Sequence, residues 1–428
     1  MNWANVEDFG VQLQRYRKRA QLSQKTLADL STVSVRAVRN LELGRVAAPR
    51  RETVRLLADA LLLATHERLS FELSAGGEVD EVLLEALSLP TSLLARPLIG
   101  RTRELASLVG QLQDDQQRLT VLSGFPGVGK THLAVAAAGS VEATTSVPVL
   151  WVQLQEEFDR GPLQAAIADL LVGEGAGVSR LARQIGDRAS LLVLDGNDDG
   201  QVRRETVWAL IRACPRLSVL ETGRVPHDVS DHHRFLVSPL PTRRAGAAQV
   251  SAPHAPALDF LLRRLADLRP GFQPGEGDLR KLAEISAGLD GLPSALESAA
   301  SWATVISVDE LLTMAREEPE ALASHPAMRT DPVAAAQGVL ARQTPVIQDL
   351  ALRLAGRSGG WTVDQVVRQS GLPRAQAALA LQSLLHAGLI VEVPSKPGGP
   401  VRFTLLHLVR AAMRSRSPLA PRLSLRAS

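Results

Sequence analysis

The polar and apolar positions of the first 75 residues repeat with the period of short helices and show almost no strand-like alternation. Ser23 precedes one helical run, Gln24 to Leu30, and Ser34 precedes a second, Val35 to Leu43. Serine is a preferred residue at a helix N-cap, so residues 31–33 are expected to form a short turn between two capped helices. The apolar positions expected to hold this pair together are Leu27, Ala28, Val33, Val38 and Leu41.

From about residue 98 to 240 the pattern changes to short apolar runs that alternate with helical stretches, which is typical of a parallel α/β sheet. The four runs are Leu119 to Leu122, Val147 to Val152, Leu191 to Leu194 and Leu217 to Leu220. The chain is helical again from about 254 to 320, and about 333 to 414 is expected to form helices followed by a two-stranded wing. The wing strands would be Leu389 to Val393 and Val401 to Leu405.

In the second capped helix, Ser34, Arg36, Arg39 and Asn40 would point away from the core. Arginine can bond bidentately to guanine and asparagine to adenine, so these positions suit a helix seated in the major groove. Residues better placed for the phosphate backbone are Gln24, Arg17, Arg45, Arg50 and Arg51.

Charge supports this interpretation of the N-terminal region. The formal net charge of the 428-residue chain is only +3, but eleven basic residues stand against three acids between Arg15 and Arg55. Such an excess favours a nucleic-acid backbone as partner. From Lys396 to the end there are seven basic residues and no acid, which indicates either a second nucleic-acid contact or a solvated tail.

Residues from about 6 to 73 resemble the XRE, or Cro/C1, family of helix-turn-helix domains. The resemblance rests on Leu22-Ser23-Gln24, Leu27-Ala28, Val33 to Val38, Leu41 to Arg45 and a closing helix Thr53 to Leu63. Thr32 departs from the family, which usually has glycine in a left-handed turn there, at a cost of about 1 kcal/mol. The alternative is an arginine-decorated helical bundle with no role in DNA binding.

Gly124-Phe125-Pro126-Gly127-Val128-Gly129-Lys130-Thr131 is a complete G-x-x-x-x-G-K-T loop between an apolar strand and the helical run His132 to Ala138. Backbone amides of such a loop surround a nucleotide phosphate, the lysine reaches the β- and γ-phosphates, and the threonine can bind Mg²⁺. The predicted contacts to ATP or ADP are Gly124, Pro126, Gly127, Val128, Gly129, Lys130, Thr131 and His132.

A second apolar strand, Ser190 to Asp195, ends in a carboxylate one sheet strand beyond the loop. This is the usual form of a Walker B strand, in which Asp195 would hold Mg²⁺ through water. The chain continues Gly196-Asn197-Asp198-Asp199, so the place directly after Asp195 lacks the carboxylate that many ATPases use to polarise water. Asp198 could substitute for it, but fast hydrolysis is not expected.

Residues from about 97 to 415 resemble the STAND, or NB-ARC-type, NTPases, closest to the modules of actinobacterial regulators of the AfsR and LuxR-like kind. The resemblance rests on Leu98 to Leu105, Leu217 to Arg224 and Gly291 to Glu297, in that order. It implies that Arg101 lies with its segment over the adenine, that Arg224 senses the γ-phosphate and that Pro293 packs on the base. For Arg224 the alternative is a surface arginine at a strand end.

Arg402 to Leu408 resembles the winged-helix motif of the same family, in which a histidine contacts the ADP β-phosphate and holds the closed state. His407 would be that histidine, although the aspartate that normally follows it is Leu408 here. The alternative is a histidine at a helix start with no contact to nucleotide.

The whole chain is therefore expected to be multidomain, with an all-α helix-turn-helix bundle, an α/β P-loop NTPase with a parallel sheet, a helical domain and a winged helix. The expected boundaries are 1–75 for the first domain, 76–97 for a linker with one short helix, 98–240, 241–330 and 331–415 for the other domains, and 416–428 for a basic tail. No apolar run is long enough to span a bilayer, and Cys214 is the single cysteine, so a cytoplasmic protein without disulfides is expected, with Cys214 in the core.

These features predict a nucleotide-switched transcriptional regulator with double-stranded DNA, ATP or ADP and Mg²⁺ as ligands and with Lys130, Asp195 and Arg224 as its catalytic residues. ADP would favour a closed form and ATP an open homo-oligomer, and an unknown protein or small molecule could activate it. One alternative is a STAND-type switch in stress or phage defence, in which the helix-turn-helix is an adaptor or autoregulator. Another is an ATP-driven machine, although the missing second carboxylate argues against it.

Overall fold

The structure is a computed structural model. It describes residues 9–46, 49–63, 65–75, 87, 89–114, 116–155, 167–168, 171–172, 176–198, 200–223, 233–242, 254–328, 330–356, 359–393 and 399–414.

The N-terminal region is a bundle of five helices with its own apolar core, centred on Leu13, Leu27, Val38 and Phe71. The predicted caps are confirmed, because the Ser23 hydroxyl accepts a hydrogen bond from the Thr26 N–H at 2.9 Å and Ser34 does the same for Ala37 at 3.2 Å. All five predicted core positions lie in this cluster, with Val33 only partly buried. The helices are α1 Phe9–Arg19, α2 Gln24–Ser31, α3 Val35–Glu42, α4 Arg51–Ala60 and α5 Thr65–Ser74.

A five-stranded parallel sheet follows, in the order β2-β3-β4-β1-β5. Its strands are β1 Leu119–Ser123, β2 Val149–Gln153, β3 Ser190–Asp195, β4 Leu217–Thr222 and β5 His233–Leu236. The described helices around it are α6 Thr91–Leu94, α7 Thr102–Leu112, α8 Lys130–Thr145, α9 Ala176–Ile185 and α10 Arg204–Ala213. The four predicted strands are present, and β5 at the sheet edge is an addition that the sequence pattern did not indicate.

The predicted linker is tied to this sheet where the structure describes it. Leu87 and Leu89 are buried, and the Leu87 carbonyl accepts a hydrogen bond from the Trp151 N–H on β2 at 2.7 Å. Cys214 is fully buried, as expected of a core residue.

The helical region comprises α11 Pro256–Leu268, α12 Glu276–Gly288, α13 Pro293–Trp302, α14 Val308–Glu317 and α15 Pro319–Ala323. Residues 289–292 form a tight connection before α13, and the Gly291 carbonyl accepts a hydrogen bond from the Leu240 N–H at 3.0 Å. This bond joins the start of α13 to the segment that leaves the sheet. The core of the helical region is continuous with that of one face of the sheet.

The C-terminal region has winged-helix architecture, with four helices, a two-stranded antiparallel ribbon and a last helix. The elements are α16 Pro332–Ala341, α17 Pro345–Ala355, α18 Val363–Ser370, α19 Arg374–His386, β6 Ile390–Val393, β7 Arg402–Leu405 and α20 His407–Arg414. The predicted basic tail lies outside the described residues. Within the described part of the chain, no helix combines the length and apolar character needed to cross a membrane.

Candidate functional site

The P-loop joins β1 to α8 at the carboxyl edge of the sheet. Phe125 and Val128 are fully buried and anchor the loop from beneath, while the glycines adopt the left-handed conformations that a sharp turn requires. The helix α8 begins at Lys130, so its first N–H groups lie at the loop, where they can attract a phosphate. The Lys130 ammonium donates to the Gly124 carbonyl at 3.1 Å.

Asp195 ends β3 and faces the first turn of α8. The Thr131 hydroxyl donates to Asp195 Oδ1 at 2.8 Å, and the Thr222 hydroxyl on β4 donates to the same atom at 2.6 Å. Asp195 Oδ2 is buried and has no hydrogen-bond partner among the described residues. Burial raises the pKa of Asp195, while the hydrogen bonds from Thr222 and Thr131 act in the opposite direction.

This arrangement fits a divalent cation. A buried carboxylate oxygen without a partner, next to a threonine hydroxyl on a P-loop, is the oxygen donor set that Mg²⁺ accepts in nucleotide sites. Across the described ranges, no group of three or more histidine, cysteine, aspartate or glutamate side chains could hold a metal by itself. A metal at this site would therefore depend on Thr131, Asp195 and the phosphates of its ligand.

The chain after Asp195 is fixed by polar groups that the sequence did not single out. The Asn197 amide donates to Glu221 Oε1 at 2.9 Å and to the Val202 carbonyl at 3.0 Å, and Arg204 pairs with Glu221 Oε2 at 3.0 Å. Burial raises the pKa of Glu221. The only signal of this network in the sequence is a glutamate and a threonine at the end of an otherwise apolar strand.

Gly196 follows Asp195 directly, at the position where many ATPases have a carboxylate that polarises water. A Cβ added at Gly196 would stand 2.7 Å from Gln155 Cγ, so a side chain here would require Gln155 to shift. The Gln155 amide in turn donates to Asp198 Oδ2 at 3.1 Å. The predicted substitute carboxylate is thus engaged by a neighbouring amide.

Three of the predicted nucleotide contacts surround the loop in different ways. The buried Arg101 guanidinium donates to the Val128 carbonyl at 2.7 Å and to the Ser238 carbonyl at 2.9 Å, and burial lowers its pKa. It supports the back of the loop, so its contact with a base stays a prediction. A ring nitrogen of His132 lies 3.0 Å from the Arg96 carbonyl. Pro293 lies beside Gly129 at the start of α13.

The winged-helix region also reaches the P-loop. A Cβ added at Gly388, just before β6, would stand 2.2 Å from the Phe125 nitrogen, so the two backbones are in direct contact. On the same side, Arg234 of β5 and His386 of α19 are joined by a hydrogen bond of 2.6 Å to His386 Nδ1. His407 is exposed, and Arg224 lies outside the described residues.

The exposed face of α3 carries the predicted DNA-binding residues. Arg36, Arg39 and Arg45 are exposed and form no ion pair within the described part of the chain, whereas Asn40 is half-buried. Ser34 is exposed, and its hydroxyl also serves as the helix cap.

Gln24 has a different environment from the one expected. Its amide donates to Glu42 Oε2 at 2.7 Å, and Arg17 bonds both oxygens of the same carboxylate at 2.6 and 3.0 Å. The hydrogen bond to Glu42 raises the pKa of Arg17. Gln24 and Arg17 therefore hold α1, α2 and α3 together, and a phosphate contact by either of them stays a prediction.

The structure thus brings the P-loop, Thr131, Asp195, Arg101 and Pro293 into one region and places the arginines of α3 on a separate exposed surface. Together these features define a multidomain protein, in which a helix-turn-helix domain precedes an NTPase-fold α/β module, a helical domain and a winged helix.

Parts of this chain resemble known proteins. Residues 8–71 match the family described as a helix-turn-helix domain. A Mycobacterium tuberculosis protein named as an HTH-type transcriptional regulator is 30% identical over 192 residues, which cover 44% of this chain and 20% of the relative. An uncharacterized protein of the same organism is 26% identical over 219 residues, covering 50% of this chain and 52% of the relative. The chain thus spans about a fifth of the length of the first relative and about half of the second.

Among solved structures, a STAND protein with a tetratricopeptide repeat sensor from Pyrococcus horikoshii aligns at 15% identity and a TM-score of 0.29, covering 75% of this chain and 43% of that one. The Drosophila ORC bound to DNA aligns at 15% identity and a TM-score of 0.26, covering 78% and 91%.

Proposed function

We propose that this chain is a transcriptional regulator that binds double-stranded DNA through its helix-turn-helix and that an adenine nucleotide at the P-loop controls this binding. The observation that carries the proposal is the joining, in one chain, of a helix with exposed arginines to a P-loop that faces the unpartnered Asp195 Oδ2. The names of the regulator relatives agree with it.

The DNA-binding part of the proposal depends on α3. This helix would enter the major groove, where Arg36, Arg39 and Asn40 contact base edges, and Arg45 just after it contacts a phosphate. Since the Arg17 and Glu42 pair holds α3 against α1, the helix would reach the groove as a rigid element.

The nucleotide-binding part depends on the P-loop and its surroundings. Backbone amides of residues 127–131 would hold the phosphates, Lys130 would move from the Gly124 carbonyl to the ligand, and Thr131 with Asp195 would hold Mg²⁺. Bound Mg²⁺ would neutralise phosphate charge. Pro293 would pack on the base and His407 would contact the phosphates of ADP.

Nucleotide binding at the P-loop would be coupled to DNA binding by a change between a closed and an open conformation. A ligand shifts an equilibrium only by its differential affinity, so the γ-phosphate has to make contacts in one state alone. Arg224 is the residue proposed to make them. ADP would favour the form in which the winged helix covers the P-loop, and ATP would favour an open, self-associating form that places several helix-turn-helix units on DNA.

The test measures DNA affinity with the nucleotide as the variable. A duplex selected from a random library is titrated with the purified chain by fluorescence anisotropy, in ADP and in a non-hydrolysable ATP analogue, while sedimentation velocity gives the mass. We expect at least a fivefold difference in affinity between the two nucleotides, and a larger assembly with the ATP analogue.

The matched control is Lys130→Ala, which should bind the duplex with one affinity in both nucleotides because the β- and γ-phosphate contact is lost. Equal affinities of the unaltered chain in both nucleotides, together with a monomer in both, would reject the switch. A chain that binds its duplex normally but binds no adenine nucleotide would reduce the proposal to a plain DNA-binding protein.

A further inference from the structure

Asp290 connects two regions of the molecule that the chain separates by more than 100 residues. Its Oδ1 accepts a hydrogen bond from the His407 N–H at 2.8 Å, and its Oδ2 accepts one from the Leu408 N–H at 2.9 Å. These N–H groups belong to the first turn of α20, which has no partner for them within the helix. Asp290 therefore caps α20 from the helical region with both of its oxygens.

Burial raises the pKa of Asp290, while the neighbouring His407 and Arg410 and the two backbone hydrogen bonds from α20 act in the opposite direction. The positive end of the α20 dipole faces Asp290, and the Arg410 guanidinium, held by the Thr404 hydroxyl at 3.0 Å, lies on the same side. The carboxyl group thus forms a two-point polar link between the helical and winged-helix regions.

The same short stretch of chain also touches the P-loop. Residues 290–294, here called the connecting segment, begin with Asp290 and run into α13. The Ser294 N–H donates to the Gly127 carbonyl of the P-loop at 3.2 Å, and the Gly291 carbonyl accepts from Leu240. One end of the connecting segment therefore bonds the P-loop and the other end bonds α20.

The backbone of Asp290 is itself constrained. Its φ is 58°, in the left-handed region that non-glycine residues rarely adopt. Asparagine and aspartate tolerate this region better than other residues. The position is therefore suited to a short side chain with an acceptor oxygen.

We propose that Asp290 is a positioning residue that holds the winged-helix region against the P-loop, acting through the first turn of α20. The direct contact of Gly388 with Phe125 is then maintained by a carboxylate in the connecting segment. Its consequence for nucleotide retention rests on the proposed function, whereas the docking itself does not.

The test is hydrogen exchange on the nucleotide-free full chain, comparing the unaltered protein with Asp290→Ala and the milder Asp290→Asn. We expect exchange at the amides of His407 and Leu408 to accelerate roughly 10- to 100-fold in Asp290→Ala, and less in Asp290→Asn. If Asp290 were only a local cap of α20, faster exchange would be confined to these two amides. The proposal also requires faster exchange at the amides of residues 123–125 and 388–390, where the winged helix meets the P-loop.

The matched control is Asp364→Asn, which removes an exposed carboxylate of the winged-helix region paired with Arg374 and should leave both sets of amides unchanged. Faster exchange confined to residues 407 and 408, or no change at all, would overturn the proposal. If Asp290→Ala does not fold, the same comparison is made with Asp290→Asn, whose amide retains one acceptor oxygen.

A second measurement follows release of mant-ADP from each variant. We expect faster release from Asp290→Ala than from Asp364→Asn, because the region that covers the P-loop is no longer held. If Asp290→Ala and Asp364→Asn release mant-ADP at equal rates although hydrogen exchange shows looser docking in Asp290→Ala, the link to nucleotide retention would be overturned. If the unaltered chain binds no mant-ADP, the proposed function fails while the exchange experiment still decides the role of Asp290.

Discussion

Thr32 is strained by the turn that makes the helix-turn-helix. Its φ is 56°, the left-handed conformation that was expected at this turn and that glycine adopts more easily than threonine. Thr32→Gly should raise the free energy of unfolding by about 0.5–1 kcal/mol, because relief of strain exceeds the extra chain entropy of glycine. Urea denaturation followed by a probe on the N-terminal bundle measures this. Thr32→Ala keeps the Cβ and should give no gain, and equal gains from both variants would contradict the explanation.

Asp195 has a proposed role in ligand binding, but burying its ionised carboxylate lowers the free energy of unfolding. Because burial raises its pKa, the stability that its protonated form contributes is present below the ordinary carboxyl pKa of about 4 and is lost as the pH rises through the raised value. Asp195→Asn should therefore stabilise the ligand-free chain by about 1–2 kcal/mol at pH 7. It should also flatten the pH dependence of stability above pH 4, as measured by denaturation at several pH values.

The same variant should lose the extra stability that Mg²⁺ and nucleotide give the unaltered chain. Asp187→Asn, at an exposed carboxylate ahead of the same strand, is the control and should change neither quantity. A ligand-free Asp195→Asn that is less stable than the unaltered chain would show that Asp195 is needed to hold Thr131 and Thr222 together.

At the scale of elements, α3 is the part of the molecule that the sequence predicted best. Arg36→Ala and Arg39→Ala should each weaken binding to a selected duplex by about 1–3 kcal/mol and relax the base preference at one position. Arg45→Ala should weaken binding to all sequences alike and reduce the salt slope by about 1, because a phosphate contact is lost. Anisotropy titrations over a range of salt measure both effects, with the exposed Arg353→Ala as control.

The elements with local signals in the sequence are present in the structure. The capped helices, the apolar strands and the P-loop depend on residues close together in the chain, so their pattern is sufficient. The strand β5 was missed, because His233 and Arg234 begin it and it lies at a sheet edge with one neighbour. The predicted closing helix Thr53 to Leu63 begins at Arg51 and ends at Ala60, before Leu62 enters the left-handed region.

Contacts between residues far apart in the chain could not be predicted from the sequence pattern, because they leave no local signal. Arg101 was assigned to the nucleotide, and nothing in its neighbours indicates that its guanidinium turns to the Val128 and Ser238 carbonyls. Glu221 lies in the Leu217 to Arg224 segment but was given no role there, and Asp290 belongs to no motif. The roles of both depend on residues that only the folded chain brings to them. The P-loop and Asp195 were predictable because a motif with known chemistry marks each of them.

At the scale of the whole molecule, the winged-helix region covers the P-loop where the backbones of Gly388 and Phe125 are in direct contact. Gly388→Ala would place a Cβ 2.2 Å from the Phe125 nitrogen, so the winged-helix region should move away and the radius of gyration should rise. Small-angle scattering of the ligand-free chain measures this. Gly371→Ala is the control, since Gly371 has a similar φ of 70° but nothing within 4 Å of an added Cβ.

Both variants should lose about 1–2 kcal/mol of stability through backbone strain alone. A change in dimensions shared by both, or absent from Gly388→Ala, would mean that the contact with Phe125 does not hold the winged-helix region in place.

The environment of Gly196 bears on how long a signal would last. A carboxylate at residue 196 would require both a shift of the Gln155 side chain and a backbone φ of 84° that non-glycine residues rarely adopt. On the proposed function, slow hydrolysis would leave a bound triphosphate in place until it dissociates, and the occupied fraction would follow the ratio of the two nucleotides in solution. Such a protein would respond to the ratio of ATP to ADP in the cell. In a fast hydrolase, by contrast, the rate of hydrolysis would set how long the ATP-bound state lasts.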